Sequence, residues 1–483
     1  MTNKQSPKHV TVIGAGISGL SAAHKLWELS NETNTPVDIT VIDARNRLGG
    51  VIHTIRRDGF LIDSGPDNFV TIKPWAMALI RRLGIESELI STNEAHRSAL
   101  VVRNGKLQPI PEGFLLMAPT KVFPVLASPV FSIPGKLRMG MEYFIPPRAT
   151  DGDESLASFV IRRFGREALD RIVQPLISGI YTARPERLSL QATMPRFLDL
   201  EAKHGSVIRG MRKESKARKT TGSGARYGMF VTFKDGLQTL VTALQNRLEQ
   251  ANFRLNQQAV QITRHAGNAR PPWDIRMADG TAIETDAVII TGPSKHAARL
   301  LTDMDPTLAD DLAQVAYASS AVVHLAYQRR QIGHPLDAFG CVVPLIENRD
   351  IIAASFSSIK YQGRAPKDTV LLRAFMGGAL HPHMAGREDA ELIRLACADL
   401  NDLLNISGSP MFTVVSRWPD SMAQYDVGHL NRIAALREKV DKHTCLALAG
   451  NGFEGVGIPD CVRAGEAAAE SIAADLGIKT AHG

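Results

Sequence analysis

The stretch HVTVIGAGISGL, His9 to Leu20, restricts this chain more than any other. Val10 to Ile13 is a short apolar run that reads as a buried parallel strand. Gly14, Gly16 and Gly19 follow at the spacing Gly-x-Gly-x-x-Gly, and Leu20 to Leu29 carries apolar residues at helical intervals. Gly14 permits the tight turn, Gly16 lets a pyrophosphate approach the backbone, and Gly19 allows close packing of helix on strand. The helix N-terminus then turns unpaired N–H groups toward phosphates. A second strand, Val37 to Ile42, ends at Asp43, 24 residues after Gly19. A carboxylate there can accept hydrogen bonds from the adenosine ribose hydroxyls. Together these make a βαβ unit with a dinucleotide site.

The residues after Asp43 narrow the choice of dinucleotide. Arg47, Gly49 and Gly50 form a second glycine motif, Arg-x-Gly-Gly, followed by Val51. Two-dinucleotide flavoproteins carry this motif where the extended FAD crosses the sheet edge. The break Gly65-Pro66, with Asp67 and Asn68, offers backbone groups for an isoalloxazine edge. A closing strand-glycine-helix near Gly450 to Pro459 supplies another helix N-terminus, positioned for the flavin pyrimidine ring where negative charge develops on reduction. The glycines of GFEGVGIPD do not repeat the first fingerprint, so no nicotinamide site is expected and the electrons come from an organic substrate.

The chain has 483 residues, 44% hydrophobic and 22% charged, enough for two or three domains. Its net charge of +7 fits an acidic substrate or an anionic membrane surface, and no compact reading motif for nucleic acid accompanies it. Cys341, Cys397, Cys445 and Cys461 fit neither a zinc site nor a disulfide framework and read as reduced thiols of a cytosolic protein. No metal site is expected. MTNKQSPKHV lacks an apolar core, so no signal peptide is expected, and no apolar run is long enough for a spanning helix. Residues 113–150 are apolar but broken by Pro119, Pro124, Pro129 and Pro134, which forbid one long helix. A buried helix-and-loop layer and a surface that dips into a membrane both fit. Residues 203–226 carry eight Lys or Arg against one Glu and end in a TTGSG stretch, which reads as a solvated loop, with acidic lipid or a partner protein as the alternative. Asp279-Gly280 between alternating runs predicts a hairpin. Residues 315–428 mix strand-like and helix-like runs and read as a second domain.

Several segments together resemble the FAD-dependent porphyrinogen oxidases, the protoporphyrinogen oxidases and their bacterial coproporphyrinogen III oxidase relatives. They are VIGAGISGLSAAHKL, DARNRLGGVIHT, DSGPDNF, QPLISGIYTARPERLSL, RWPDSMAQYDVGHLNRI and EGVGIPDCVRAGEAAA. The first is shared by all amine-oxidase-like flavoproteins, whereas SGIYTA and EGVGIPDC are more specific. The resemblance implies α/β with α+β architecture: a discontinuous Rossmann-like FAD-binding domain (1–92, 228–300 and 430–483), a helical, membrane-touching domain (93–227) and a mixed-sheet substrate domain (301–429). It implies FAD held by Gly14, Ala15, Gly16, Ile17, Ser18, Gly19, Asp43, Ala44, Arg47, Gly50 and Val51. Gly65, Pro66, Asp67 and Asn68, the adenine-contacting Val260, Trp418, and Val456, Gly457 and Ile458 complete that set.

For the substrate, the resemblance implies a wall at Gly179 and Ile180, an aromatic wall at Phe375, and a cation at Lys73 that can pair with a propionate. Asp67, where animal-type relatives often carry Arg, favours coproporphyrinogen III over protoporphyrinogen IX. The implied reaction removes six electrons from a porphyrinogen in three steps for haem synthesis, with oxygen reduced to hydrogen peroxide. A ferrochelatase or another haem-pathway enzyme is the implied protein partner, and the implied location is the cytoplasm or the inner face of the cell membrane. No catalytic side chain is expected, because the flavin carries the chemistry. His53, His324 and His429 read as structural or surface residues. An amine oxidase or carotenoid desaturase is a more distant reading. A non-catalytic flavin-binding scaffold is another.

Overall fold

The computed structural model describes residues 6–149, 152–218, 229–265 and 271–478. A five-stranded sheet lies at its centre, in the order Asn252–Leu255, Val37–Asp43, Lys8–Ile13, Ala287–Ile290 and Leu446–Leu448. Every pairing in it is parallel. The strands come from distant parts of the chain, so this unit is discontinuous in sequence. Its interior strands are apolar on both faces, as a parallel sheet covered by helices requires. Helix Ile17–Thr33 and the C-terminal helix Ile458–Asp475 pack against each other over one face. At their crossing a Cβ on Gly465 would stand 2.1 Å from the Ser18 carbonyl oxygen, so only a glycine permits this approach. The first helix exceeds the expected span because Ile17 joins its start and Asn34, with φ of 52°, closes its end in the left-handed conformation. The hairpin expected at Asp279-Gly280 is present, with Trp273–Met277 pairing antiparallel to Ala282–Thr285.

A seven-stranded mixed sheet forms the second layer, in the order Phe412–Ala423, Tyr317–Gln328, Thr369–Gly377, Ile351–Phe356, Gly340–Val342, Leu100–Arg103 and Lys106–Pro109. The last two strands come from a stretch expected in the helical layer. They join this sheet because Leu100 and Val102 alternate into its rear core while Val101 faces forward. The rear face, with Ala321, Val323, Leu325, Leu372, Ala374 and Met376, packs on helix Asp389–Leu404. That helix presents Leu392, Leu395, Ala396, Leu400 and Leu403 as one stripe. On the front face Ala326 and Leu371 pack on Phe60 and Ile62, while Arg373 and Phe375 lie further along it.

The helical layer lies between residues 123 and 218 and has its own core around Phe159, Phe164, Leu169 and Ile177. Residues 207–218 form a helix, Val207–Arg218, where the sequence suggested a solvated loop. Val207, Ile208 and Met211 are buried in that core and hold it in place, while Arg209, Arg212 and Lys213 are exposed. The TTGSG stretch lies outside the described residues.

Candidate flavin and substrate site

The phosphate loop is built by steric necessity. Gly14 has φ of 109°, and its amide donates to the Ile42 carbonyl at 2.7 Å. The Thr291 hydroxyl donates to the carbonyls of Ile13 and Gly14, at 3.1 and 2.9 Å. A Cβ on Gly19 would stand 1.8 Å from the Gly14 carbonyl oxygen. Gly16 caps helix Ile17–Thr33 without a side-chain acceptor, so the amides of the first turn remain available to an anion.

The second glycine motif lies across the first. The Gly49 amide donates to the Ala15 carbonyl at 2.8 Å, and a Cβ on Gly50 would come within 3.0 Å of the Gly16 Cα. The Arg47 guanidinium donates to the carbonyls of Leu48, Gly50 and Ile52, fixing the curl of the turn that carries Val51. Asp43 accepts from the Ala15 amide and the Arg45 amide, both at 2.8 Å. Its carboxylate, expected on a ribose, also ties the second strand to the phosphate loop. Ala44 is exposed beside it. Residues 256 and 257 bond to the carbonyls of Arg45 and Asp43, and Val260 follows, exposed, on strand Ala259–Arg264.

The turn Gly65 to Asn68 is clamped from the large sheet. A Cβ on Gly65 would stand 1.9 Å from the Val51 carbonyl oxygen, which joins this turn to the second glycine motif. The Trp418 indole donates to the Ser64 carbonyl at 3.1 Å. Buried Arg373 donates to the Gly65 carbonyl and lies 3.0 Å from the Asp67 carboxylate. Lys360 stands 3.5 Å from the same carboxylate, and Asn68 donates to it. Burial works to raise the Asp67 carboxyl, but Lys360, Arg373 and Arg364 outweigh it and hold the group well below the usual carboxylate range. His324, fully buried on the neighbouring strand, is held neutral by burial and by Arg373, which fits the structural role read for it.

At the far side, the C-terminal helix begins at Ile458 with Gly457 as its cap and Pro459 in its first turn. Gly455 has φ of 117° and needs that freedom, because a Cβ there would meet Asp460. The Tyr425 hydroxyl donates to the Asn451 carbonyl at 2.8 Å and accepts from the Gly455 amide at 2.6 Å. The His429 ring stacks on Tyr425 at 3.9 Å and bonds to the Phe453 carbonyl at 2.8 Å. This pair braces the loop that carries Val456, Gly457 and Ile458.

Of the residues expected at the substrate, Gly179 lies against Val342, with 4.0 Å between its would-be Cβ and Cγ1. Val342, Ala353 and Phe375 are register partners across three strands, so Gly179 and Phe375 address one front face. Arg373, two residues from Phe375, shares that face, and its guanidinium lies 5.0 Å from the Phe375 ring. Ile180 is partly exposed, and the Thr182 carbonyl accepts from Ala379, which ties the SGIYT end to the sheet. Lys73 is half-exposed and already has a partner. Its ammonium is engaged by both Asp460 oxygens, at 2.8 and 2.7 Å. Arg373, Lys360, Asp460 and Tyr425 escaped the sequence reading because their partners are distant in the chain; 308 residues separate Arg373 from Gly65.

The residues fit FAD. Two glycine turns meet at a spacing no side chain could share, and two uncapped helix N-termini are held together by the Gly465 crossing. The fold and this arrangement define an FAD-dependent flavoprotein oxidoreductase. Residues 17–473 match the model of the flavin containing amine oxidoreductases, and the chain belongs to that family. It is 35% identical to the coproporphyrinogen III oxidase of Bacillus subtilis, over 95% of this chain and 97% of that protein. Identity to the coproporphyrinogen III oxidase of Staphylococcus aureus is 32%, over 97% of this chain and all of the other. A solved structure from Exiguobacterium sp. 255-15 superimposes with a TM-score of 0.87 at 29% identity, covering 98% of this chain and 100% of that one.

Proposed function

We propose that this protein oxidises coproporphyrinogen III to coproporphyrin III. The carrying observation is the clamp of Arg373 on Gly65 and Asp67, which sets the flavin-side turn beside the front face bearing Phe375 and closed by Gly179. In this reading the puckered porphyrinogen lies against the face that carries Phe375, with Gly179 beside it. Likeness to the two coproporphyrinogen III oxidases over nearly the whole chain supports this substrate over protoporphyrinogen IX.

In this reading Gly14 to Gly19, Asp43, Ala44, Arg47, Gly50, Val51 and Val260 hold the adenosine and pyrophosphate. Gly65 to Asn68, Trp418 and Val456 to Ile458 hold the ring system. FAD, when bound, supplies the two-electron acceptor for the meso C–H of the porphyrinogen. The residues contribute position and exclusion of water, which for an electron-rich substrate matters more than a protein base. Arg373 and Lys360 keep Asp67 ionised, so its turn stays rigid while the substrate docks. Oxygen takes the electrons and leaves as hydrogen peroxide, and a haem-pathway enzyme such as a ferrochelatase takes the product. The purified protein is expected to be yellow and to turn over coproporphyrinogen III at least about tenfold faster in kcat/KM than protoporphyrinogen IX, the size of discrimination expected between substrates that differ in polar groups. Product fluorescence and peroxide release measure this. Equal rates would sink the substrate assignment, and failure to oxidise either would sink the activity.

We also propose contact with a membrane surface. Phe144, Phe123, Ile133 and Leu137 are 87%, 79%, 74% and 68% exposed. Ile133, Leu137, Met141 and Phe144 recur at helical spacing through Ile133–Gly140 and the single turn that follows. Lys136 bonds to the Leu126 carbonyl and joins this row to the segment bearing Phe123. Among the described residues no helix is long and apolar enough to cross a membrane. The double change Phe123→Asp with Phe144→Asp is expected to lower sedimentation with anionic vesicles by at least about tenfold, from roughly 1.5–3 kcal/mol lost per phenylalanine. Unchanged sedimentation would remove this part of the proposal.

A further inference from the structure

Lys73 and Asp460 are 387 residues apart in the chain and meet at the start of the C-terminal helix. Three contacts bring them together. Helix Pro74–Leu83 lies against helix Ile458–Asp475. The Arg463 guanidinium stacks over the Trp75 ring at 4.5 Å, and Arg82 pairs with Glu466. Lys73 precedes the first of these helices, and its ammonium reaches both oxygens of Asp460.

Asp460 is buried in the first turn of its helix, and its carboxylate lies against the glycines of the turn before it. A Cβ on Gly455 would stand 2.3 Å from its Cγ, and one on Gly457 would stand 3.3 Å from an oxygen. Its charge is felt across the site. The Tyr181 phenol, in the wall that contains Gly179 and Ile180, is pushed up to about 12 by burial and then by Asp460.

A carboxylate in this place creates a conflict. The start of a helix carries partial positive charge that stabilises an anion nearby. Asp460 opposes it with a full negative charge, in a poorly solvated place where charges act strongly. Reduction of a bound flavin adds negative charge to the ring, and an uncompensated neighbouring carboxylate disfavours that. Lys73 is the cation that meets both Asp460 oxygens.

We infer that Lys73 serves the reaction through Asp460, as a positioning residue that neutralises the buried carboxylate at the helix start and so keeps the flavin reducible, and that it does not bind a substrate propionate. The inference rests on the reading that Val456 to Ile458 face the ring system. It adds a role for Asp460, and it replaces the role that the resemblance implied for Lys73. The electrons still pass from substrate to FAD to oxygen, and neither residue exchanges a proton or a bond.

The test uses the FAD-loaded protein and its midpoint potential, measured by equilibration with a redox dye, beside KM and kcat for coproporphyrinogen III. Lys73→Met is expected to shift the two-electron reduction equilibrium about tenfold toward the oxidised form, which is a fall of about 30 mV. Its kcat falls and its KM stays within about twofold, since no substrate contact is lost. Asp460→Asn alone is expected to raise the potential above that of the unaltered protein. The double change Lys73→Met with Asp460→Asn is expected to return it to near the original value, and Lys73→Arg to hold it there. A Lys73→Met protein with unmoved potential and a KM raised tenfold would overturn the inference in favour of a propionate contact. Should Lys73→Met fail to fold, Asp460→Asn decides: a rise supports the inference and no change overturns it. Gly457→Val separates the inference from the reading beneath it. If it leaves the flavin spectrum untouched, the helix start is not at the ring, and both fall. If it perturbs the spectrum while the charge variants leave the potential unmoved, only the inference falls.

Discussion

The Gly19→Ala protein is expected to purify without its yellow colour, and its affinity for FAD is expected to fall about tenfold to a hundredfold. One methyl group suffices because of where it would stand. The added carbon meets the Gly14 carbonyl oxygen at 1.8 Å and the Thr291 hydroxyl at 2.8 Å. The hydroxyl can rotate away, but the carbonyl belongs to the loop itself. Relief requires helix Ile17–Thr33 to move off that loop, and the helix is pinned on its other side by Gly465, whose would-be Cβ stands 2.1 Å from the Ser18 carbonyl oxygen. Overpacking of this kind costs about 1–3 kcal/mol. The strain falls on the amides that face the pyrophosphate. The ratio of flavin to protein absorbance after purification, and titration of the apoprotein with FAD, measure the effect. Gly140→Ala is the control, since nothing lies within 4 Å of its would-be Cβ. A Gly19→Ala protein that binds FAD as tightly as the control would refute the account of the loop.

Arg163→Met is expected to destabilise the protein by about 3–5 kcal/mol, the range for breaking a buried ion pair from one side. Arg163 is fully buried and donates to the Glu142 carboxylate through Nε at 2.9 Å. It also donates to the carbonyls of Ile145, Pro146 and Gly205, at 2.8, 3.2 and 3.0 Å. Glu142, equally buried, accepts from the Val207 amide at 2.7 Å and so anchors the start of helix Val207–Arg218. Glu201, 3.3 Å from Arg163, is shared with Arg162. Methionine fills much of the volume but leaves the buried Glu142 charge without its cation and removes the guanidinium donor from the Ile145, Pro146 and Gly205 carbonyls. Adding Glu142→Gln removes the stranded charge, so the double variant is expected to be more stable than Arg163→Met alone. Urea unfolding of the FAD-loaded proteins reads both effects. A loss below about 1 kcal/mol for Arg163→Met would mean that water or a shifted neighbour replaces the guanidinium.

Residue by residue, the site divides by the range of the forces that make it. Gly14, Gly19, Gly49, Gly50 and Gly65 were legible because each answers a steric demand set within a few residues or by a neighbouring backbone. Such a demand leaves a regular spacing in the chain. The hairpin at Asp279-Gly280 was legible for the same reason, since its turn demands those residues locally. Residues 100–109 were not, since their alternation does not say which sheet will take them. Residues 203–218 were misread because their charges mask the buried row of Val207, Ile208 and Met211.

The sequence alone determined the dinucleotide loop, the second glycine turn behind its acid, and the flavin rather than nicotinamide reading, largely from glycines at fixed spacing. Only the tertiary structure decided which charges meet: Arg373 with Asp67, Arg163 with Glu142, and Lys73 with Asp460. An arginine or lysine carries the same local signature whether it is solvated or buried. Its partner is chosen by the packing of helices and strands hundreds of residues apart, and a strong preference exists only once that packing has removed the water.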